Sequence, residues 1–599
     1  MDATEIIRDD LISKDDLAEK FGVLNYMIFV AMLLISTLIG VFYWWKGQDN
    51  TDEFLLAGRS MGTFPMAMSL IASFMSAITL LGVPSTIYMK GTQFAMSALC
   101  YPFVMATVAH FYLPVYDQLR VSTSYEYLEI RFNKWVRKIA TSLFCIQMTL
   151  YMAIVVYAPA LAIIQVTGFL DGVDGDVEIA CALIFAVCIF YTCLGGIKAV
   201  IWTDVFQALM MFGSFLAIVI VGDDAVGGAS IVFDRNYQDS RVQLFNFTAD
   251  VRVQFSFWSV TIGSFVLWLT VYGPNQAQVQ RYLTVEKKSQ AVAALWINAL
   301  GVSFLFLLCV YGGLVLYAFY YDCDPQRSSQ ITKTDQIFPL FVMQIMGDVP
   351  GIPGLFVAGV FSGALSTVSS GLNALASVCL SEFTCFDVTE DRSTLISKLL
   401  ALGFGLLSFI IVFVVKYLPG VLEAGLTVAG LVEGPILGVF TLGMFVPFAS
   451  TRGALSGILA ALVFTFWMGF GHVTHMDSYN MDQFNPNIPE VKSVVSCPKN
   501  WTIVEDSVDE TVAENFPLYD VSSMWYGPLS SFLCLLVGSL VSLFQPNDHL
   551  LMDKRLISPA CIDLFFWLPE ILKRRIREYY EEVGSSYHGD FAIEVIEED

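Results

Sequence analysis

Long apolar segments separated by short polar ones recur along most of the 599-residue chain. A segment of roughly 18 or more apolar residues can cross the hydrocarbon core of a bilayer as a helix. Thirteen segments near or above this length predict an all-α polytopic membrane protein with about thirteen transmembrane helices surrounded by lipid bilayer. The predicted spans are residues 24–45, 63–88, 93–116, 136–167, 179–192, 199–221, 255–272, 291–321, 352–380, 395–417, 421–446, 454–471 and 522–544.

The spans divide the chain into an extracellular tail (residues 1–23), a transmembrane domain (24–544) and a cytoplasmic tail (545–599). Thirteen spans place the two termini on opposite sides of the membrane. With the N-terminus outside, 20 of the 32 Lys and Arg residues fall in cytoplasmic segments, Lys198 and Arg281 among them, and 12 fall outside. Cytoplasmic segments are expected to hold the larger share, so the sequence predicts an outer N-terminus and an inner C-terminus.

Two features of the predicted outer loops agree with this orientation. Asn246 and Asn500 each begin an Asn-X-Thr sequon, and glycosylation takes place on the outer side of the membrane. Cys323 and Cys497 fall on the same oxidising side, where they either form a disulfide or remain two free thiols.

Composition supports a membrane protein and excludes other classes. Hydrophobic residues make up 56% of the chain and charged residues 15%, whereas soluble domains carry about 25% charged residues. The net charge of −23 argues against nucleic acid as a partner, because phosphate binding requires clustered Lys and Arg. The sequence has no P-loop, GxSxG or HExxH motif. It therefore predicts a protein that is not an enzyme, and active transport by it would draw on an ion gradient.

Small and hydroxylic residues are concentrated in the second and ninth spans, at residues 69–84 and 362–371. One interpretation is close helix packing, since Gly, Ala and Ser let backbones approach. The other is a sodium site, in which hydroxyl groups and the carbonyls of a broken helix supply oxygen ligands. Gly82 and Pro84 mark the segment where the sequence favours such a break.

Three acidic residues lie within the predicted spans, and a buried acid in a membrane is a functional candidate by default. Asp204 lies near the inner end of the sixth span, where a salt bridge with Lys198 is an equally good interpretation. Glu423 and Glu433 lie in the eleventh span.

Two aromatic residues of the seventh span, Trp268 and Tyr272, are four positions apart and share one face of a helix. That face either packs against other helices or lines a substrate cavity.

Four sequence strings, in this order and spacing, resemble the sodium/solute symporter family. They are residues 52–60 (DEFLLAGRS), residues 191–207 (beginning YTCLGG), residues 275–282 (NQAQVQRY) and the Ser/Thr run of the ninth span. The resemblance extends from about residue 51 to residue 544, and it is strongest to the branch of monocarboxylate, multivitamin and iodide symporters.

The resemblance implies a leucine-transporter-like fold with two inverted five-helix repeats. The repeats would comprise residues 63–221 and 255–446, with extra spans at 24–45, 454–471 and 522–544. In this fold the first helix of a repeat is broken at the midplane, where ion and substrate bind.

Carried over residue by residue, the resemblance also implies a set of site residues. The sodium ligands would be the carbonyls of Ala72, Met75 and Gly363 and the hydroxyls of Ser366 and Thr367. Asp204 would lie on the inward path of sodium. The substrate cavity would include Thr79, Phe94, Tyr151, Trp268 and Tyr272.

The function implied is inward symport of Na+ with a small organic anion, a monocarboxylate or a carboxylate vitamin, across the plasma membrane by alternating access. A solute-gated sensor or channel on the same scaffold is one alternative, and a symporter for a sugar or for iodide is another. Iodide symporters carry Gln where Thr79 stands, which disfavours iodide. The branch carries neutral residues at the positions of Glu423 and Glu433, and an extra carboxylate near the cavity disfavours an anion unless that carboxylate is protonated or paired.

Overall fold

The computed structural model describes residues 11–13, 16, 20–46, 51–168, 175–383, 390–417, 421–474, 493–498, 501, 518–544 and 553–559. Within these ranges the chain forms helices and connecting turns and no strand. The helices are numbered in chain order as follows: α1 (Val23–Lys46), α2 (Thr51–Leu56), α3 (Thr63–Phe74), α4 (Ala77–Lys90), α5 (Thr92–Leu119), α6 (Ser124–Arg131), α7 (Lys134–Thr167), α8 (Asp176–Val226), α9 (Ala229–Gln238), α10 (Phe257–Tyr272), α11 (Gln276–Tyr282), α12 (Lys288–Phe319), α13 (Ile337–Met346), α14 (Ile352–Phe383), α15 (Glu390–Val415), α16 (Val421–Phe445), α17 (Thr451–Thr474) and α18 (Tyr526–Leu543).

The predicted membrane spans correspond to helices throughout the described part of the chain. Ten helices there are long and apolar enough to cross a membrane, and twelve are if each of the bent pairs α3–α4 and α10–α11 counts as one span. The 51 residues of α8 are interrupted at Gly196, whose φ of 55° and ψ of −162° are not helical. A straight helix of that length would extend roughly 75 Å, more than twice the thickness of the hydrocarbon core. The two parts of α8 coincide with the fifth and sixth predicted spans.

The second predicted span is bent by 53° where α3 ends and α4 begins. The break lies at Met75 and Ser76, and Ser76 has an extended backbone (φ −71°, ψ 169°). The sequence-based location at Gly82 and Pro84 is wrong, since α4 runs through both residues. Gly82 instead permits close packing, because a Cβ atom there would lie 2.9 Å from the Cβ of Leu422 on α16.

A second bend, of 59°, separates α10 from α11. The connecting residues are Gly273 and Pro274, and a proline disfavours helical backbone in the residue before it. Asn275 then caps α11, because its Oδ1 accepts a hydrogen bond from the backbone amide of Ala277 at 3.0 Å. The resemblance implied a break in this span without locating it, and the predicted span stops at residue 272, short of the helix that continues beyond the bend.

The most deeply buried long helix in the described structure is α14, 94% of whose most apolar stretch is enclosed by protein. It packs against α8, α7, α15, α1 and α3. Small residues allow these close approaches: a Cβ atom on Gly359 would lie only 2.0 Å from Oγ of Ser214 on α8. Within residues 362–371, a Cβ atom on Gly371 would lie 2.8 Å from Sδ of Met152 on α7, so small residues of this run also serve helix packing.

Loops beyond the helix ends are tied to the bundle by a disulfide and a buried arginine. Cys323 is bonded to Cys497, with a Cα–Cα distance of 4.9 Å. Arg241 is fully buried. Its Cζ atom lies 4.2 Å from the ring centroid of Tyr317, and its guanidinium donates a hydrogen bond to the carbonyl of Tyr88. These contacts join the loop after α9 to the ends of α4 and α12.

The two sequons differ in what the structure describes. Asn246 lies in the loop between α9 and α10, and its Oδ1 accepts a hydrogen bond from Oγ1 of Thr248 at 2.6 Å. Asn500 lies outside the described residues, and glycosylation of both stays a prediction.

Candidate functional site

A fully buried ion pair lies at the centre of the helix bundle. Asp204 on α8 and Arg281 on α11 have no solvent-exposed side-chain surface, and Nη2 of Arg281 lies 3.1 Å from Oδ2 of Asp204. Removing two charges from water is costly, so such a pair persists only where further hydrogen bonds satisfy both groups.

Hydroxyl groups from two other helices supply those hydrogen bonds. Ser69 on α3 donates to Oδ2 of Asp204 at 2.5 Å, and Ser366 on α14 donates to Oδ1 at 2.6 Å. Arg281 donates through Nε to Oγ of Ser69 at 2.7 Å, and it also donates to Oγ of Ser370 on α14. The network therefore joins α3, α8, α11 and α14.

This arrangement corrects two interpretations of the sequence. Lys198 pairs with Glu53 at 3.3 Å, so it is not the partner of Asp204. Arg281 was counted among the cytoplasmic charges, whereas the structure buries it completely. The sequence signal for its importance was its place in residues 275–282, one of the four strings that carried the resemblance.

The five predicted sodium ligands lie on two segments that face each other. A Cβ atom on Gly363 would lie 3.0 Å from the carbonyl oxygen of Met75, so α14 passes directly against the break after α3. Oγ1 of Thr367 lies 2.9 Å from the carbonyl of Gly363 on its own helix and 3.2 Å from the carbonyl of Ser73. Ala72 is fully buried on the last turn of α3.

The helix break frees the carbonyl oxygen of Met75 from the hydrogen bond that a continuous helix would give it. The amide of Thr79 donates to the carbonyl of Ser76 at 3.0 Å, so it does not take the carbonyl of Met75 four residues earlier. Ser366 uses its proton to bond Asp204, which leaves the lone pairs of its oxygen available. Freed carbonyls and hydroxyl oxygens beside a broken helix are the kind of ligands that bind Na+ in membrane transporters. The assignment of these five residues as sodium ligands remains a prediction.

A cavity lies beside this junction, with about 90 Å³ of space that the centre of a water molecule can occupy, several times what one bound water needs. It is bounded by residues of α3, α4, α7, α10, α11, α14 and α16. Ser73, Thr367 and Ser370 form the part of its wall that adjoins the predicted sodium site.

The predicted substrate-cavity residues divide into two groups. Thr79, Tyr151 and Trp268 line the cavity. Phe94 and Tyr272 are not part of this lining. Phe94 lies at the start of α5, where its ring packs 5.0 Å from that of Phe255, and Tyr272 is fully buried.

The acids of the eleventh span also differ. Glu433 on α16 is only 6% exposed and lines the same cavity. Glu423 lies in the first turn of α16, and its side chain is outside the part that the structure describes. No Lys, Arg or His is among the described residues that line the cavity, and Glu433 is its one acid.

Comparison with known proteins agrees with this geometry. The family model of the sodium:solute symporter family matches residues 54–461. Sodium-coupled monocarboxylate transporter 2 of Homo sapiens is 38% identical over 92% of this chain and 88% of its own length. The sodium-dependent multivitamin transporter of Oryctolagus cuniculus is also 38% identical, over 94% of this chain and 89% of its own length. A solved structure of a Na+-coupled sialic acid symporter, in a substrate-bound outward-open state, aligns with a TM-score of 0.70 at 25% identity. It covers 88% of this chain and 99% of the symporter.

Proposed function

The chain belongs to the sodium:solute symporter family, and we propose that it imports a small organic solute, a monocarboxylate or a carboxylate vitamin, together with Na+ across the plasma membrane. The relatives named above are transporters of monocarboxylates and of vitamins. One observation carries the proposal: the oxygen-rich junction between α14 and the break after α3 opens directly onto this cavity.

Sodium would bind at this junction, between the carbonyls of Ala72, Met75 and Gly363 and the hydroxyls of Ser366 and Thr367. The bound ion would hold the end of α3 against α14. Thr367 also lines the cavity, so sodium and solute would be neighbours, and each would favour binding of the other. A carboxylate group at this end of the cavity would gain directly from the positive charge of the ion.

The buried ion pair gives sodium a path toward the inside. Asp204 accepts a hydrogen bond from Ser366, so the proposed sodium site and the carboxylate share a side chain. Arg281 neutralises Asp204 while the path is closed. Inward release would require sodium to pass this carboxylate as Arg281 moves away with α11.

The two bent spans support the repeat architecture. The bends at residues 75–76 and 273–275 each fall in the first helix of a proposed five-helix repeat, residues 63–221 and 255–446. With α8 divided at Gly196, the count becomes thirteen spans, with the N-terminus outside and the C-terminus inside. Movement of the broken helices against the rest of the bundle would provide alternating access.

The membrane potential would contribute to accumulation, since each positive charge that enters gains roughly 2.3 kcal/mol per 100 mV. Radiotracer uptake and current recorded together in cells expressing the protein test the proposal, with lactate as solute and with sodium or choline in the medium. Sodium-dependent accumulation with inward current is expected. A solute-gated current without accumulation would instead identify a sensor or channel.

A further inference from the structure

Glu433 is a buried carboxylate without a balancing charge. It lies in the middle of α16, is 6% exposed and faces the cavity. Its Oε2 atom has no hydrogen-bond partner within the described part of the chain. Burying an unpaired polar or charged group is costly, and inside a membrane protein such a group is retained for function by default.

The groups around Glu433 do not supply a cation. Gln147 on α7 is the neutral polar side chain that interacts with its carboxyl group. The ionisable side chains that interact with it are Tyr125 on α6 and Tyr151 on α7. None of these carries a positive charge, and the cavity lining described above contains no basic residue. The charge of Glu433 must therefore be balanced by a bound ligand or removed by protonation, and a glutamine at this position separates the two, because it mimics only the protonated form.

Gln147 adds a second acceptor at the same place. Its Oε1 atom is buried and, like Oε2 of Glu433, has no partner among the described residues. Two acceptors that face one cavity suit a ligand group with several hydrogen-bond donors. An ammonium group has donors only and no acceptor, and it carries the missing positive charge.

Aromatic side chains also line the cavity. Tyr151 and Trp268 both line it, and aromatic faces attract organic cations. The hydroxyls of Ser73, Thr367 and Ser370, beside the proposed sodium site, also line the cavity. The lining thus contains groups suited to a carboxylate and groups suited to a cation.

We propose that Glu433 determines specificity by binding, with Gln147, an ammonium group of the solute. The preferred substrate is then a short amino-carboxylate, a zwitterion, over a plain monocarboxylate anion. This inference rests on the proposed function, since it takes the carboxylate end of the solute and its sodium partner from there. A plain anion would leave the charge of Glu433 unbalanced, whereas a zwitterion balances it.

Paired solutes that differ only in the amino group test the inference. Sodium-dependent uptake of radiolabelled 4-aminobutyrate and butyrate, and of alanine and propionate, is measured in cells expressing the protein, with surface amount determined by biotinylation. Wild type is expected to take up at least one amino member about tenfold faster than its plain partner. Glu433→Gln is expected to reverse this preference, losing at least about tenfold in uptake of the amino member while still transporting the plain carboxylate. Glu178→Gln, which removes an acid that does not line the cavity, should keep the wild-type preference.

Competition in the wild-type protein gives a second readout that does not depend on a folded variant. Unlabelled amino members should inhibit uptake of the labelled amino solute, and their plain partners should not. If wild type prefers the plain carboxylates, or if Glu433→Gln leaves the preference unchanged, the inference is overturned and the proposed function stands. If no member of either series enters in a sodium-dependent way, the inference is overturned, and uptake of lactate and of a carboxylate vitamin then decides the proposed function.

Discussion

Removal of the Arg281 guanidinium while Asp204 remains is expected to destabilise the protein strongly. Arg281→Met keeps a side chain of similar length but leaves the carboxylate of Asp204 buried without its counter-charge. Only the hydroxyl donors Ser69 and Ser366 then remain on it. Breaking a buried pair by removing one partner costs about 3–5 kcal/mol in the free energy of unfolding.

Two further variants separate charge from geometry. Arg281 donates to four acceptors, which are Oγ of Ser69, the carbonyl of Ala277, Oδ2 of Asp204 and Oγ of Ser370. A lysine has three donors on one nitrogen atom, so Arg281→Lys keeps the charge but loses at least one charged hydrogen bond, about 1.5–3 kcal/mol. The double variant Arg281→Met with Asp204→Asn removes both charges and should recover most of the loss, because no buried charge remains.

The free energy of unfolding is compared through thermal and denaturant unfolding of the purified protein in detergent. Lys198→Met is the matched control, since it breaks the partly exposed pair with Glu53 and should cost no more than about 1 kcal/mol. The reasoning is refuted if Arg281→Met unfolds like this control. It is also refuted if the double variant loses the full sum of the two single losses.

Three further predictions follow from other contacts. Gly363→Ala places a Cβ atom 3.0 Å from the carbonyl oxygen of Met75, so the sodium concentration for half-maximal uptake should rise about tenfold, even though alanine favours a helix more than glycine does. Unchanged sodium dependence would contradict the proposed ligand set. Cys323→Ser should lower the unfolding temperature, because the disulfide with Cys497 closes a loop across a sequence separation of 174 residues. In the chain-entropy description, closing a loop of this size adds about 5 kcal/mol to the free energy of unfolding. An unchanged melting curve would show that the bridge does not stabilise the fold. Asn246→Gln should reduce the electrophoretic mass lost on glycosidase treatment if its loop is outside, and an identical shift in wild type and variant would contradict glycosylation at this sequon.

The spans could be predicted because each is a long apolar segment, and length and hydrophobicity are local properties of the sequence. The break in the second span could not be located in this way. Gly82 and Pro84 are the residues that usually interrupt a helix, yet α4 passes through them and the break lies at Met75 and Ser76. Packing of Gly363 against the carbonyl of Met75 is a tertiary contact that no local pattern reveals.

The candidate site was predictable only in part, from the family resemblance and from acidic residues within apolar segments. Ser366 and Thr367 were expected to lie beside the broken helix, and the structure has them there. Arg281 looked like a loop cation, because its partner Asp204 is 77 residues away in sequence. Phe94 was placed in the cavity although its ring packs against Phe255 outside the lining. Such pairings depend on how helices cross, which hydrophobic periodicity does not specify.

Sodium-driven accumulation in proteoliposomes tests the central claim most directly. Purified protein is reconstituted, an inward sodium or potassium gradient is imposed, and uptake of labelled lactate and alanine is followed over time. Thr367→Ala removes a proposed sodium ligand. Ser362→Ala is the control, because in the part of the chain that the structure describes its hydroxyl donates one hydrogen bond, to the carbonyl of Ala358 on the same helix at 2.7 Å. The account predicts that the internal concentration of at least one solute rises transiently above its external concentration with sodium and not with potassium. This accumulation should occur in wild type and in Ser362→Ala, and it should be absent in Thr367→Ala. Equilibration without accumulation, or equal uptake with both cations, would contradict it.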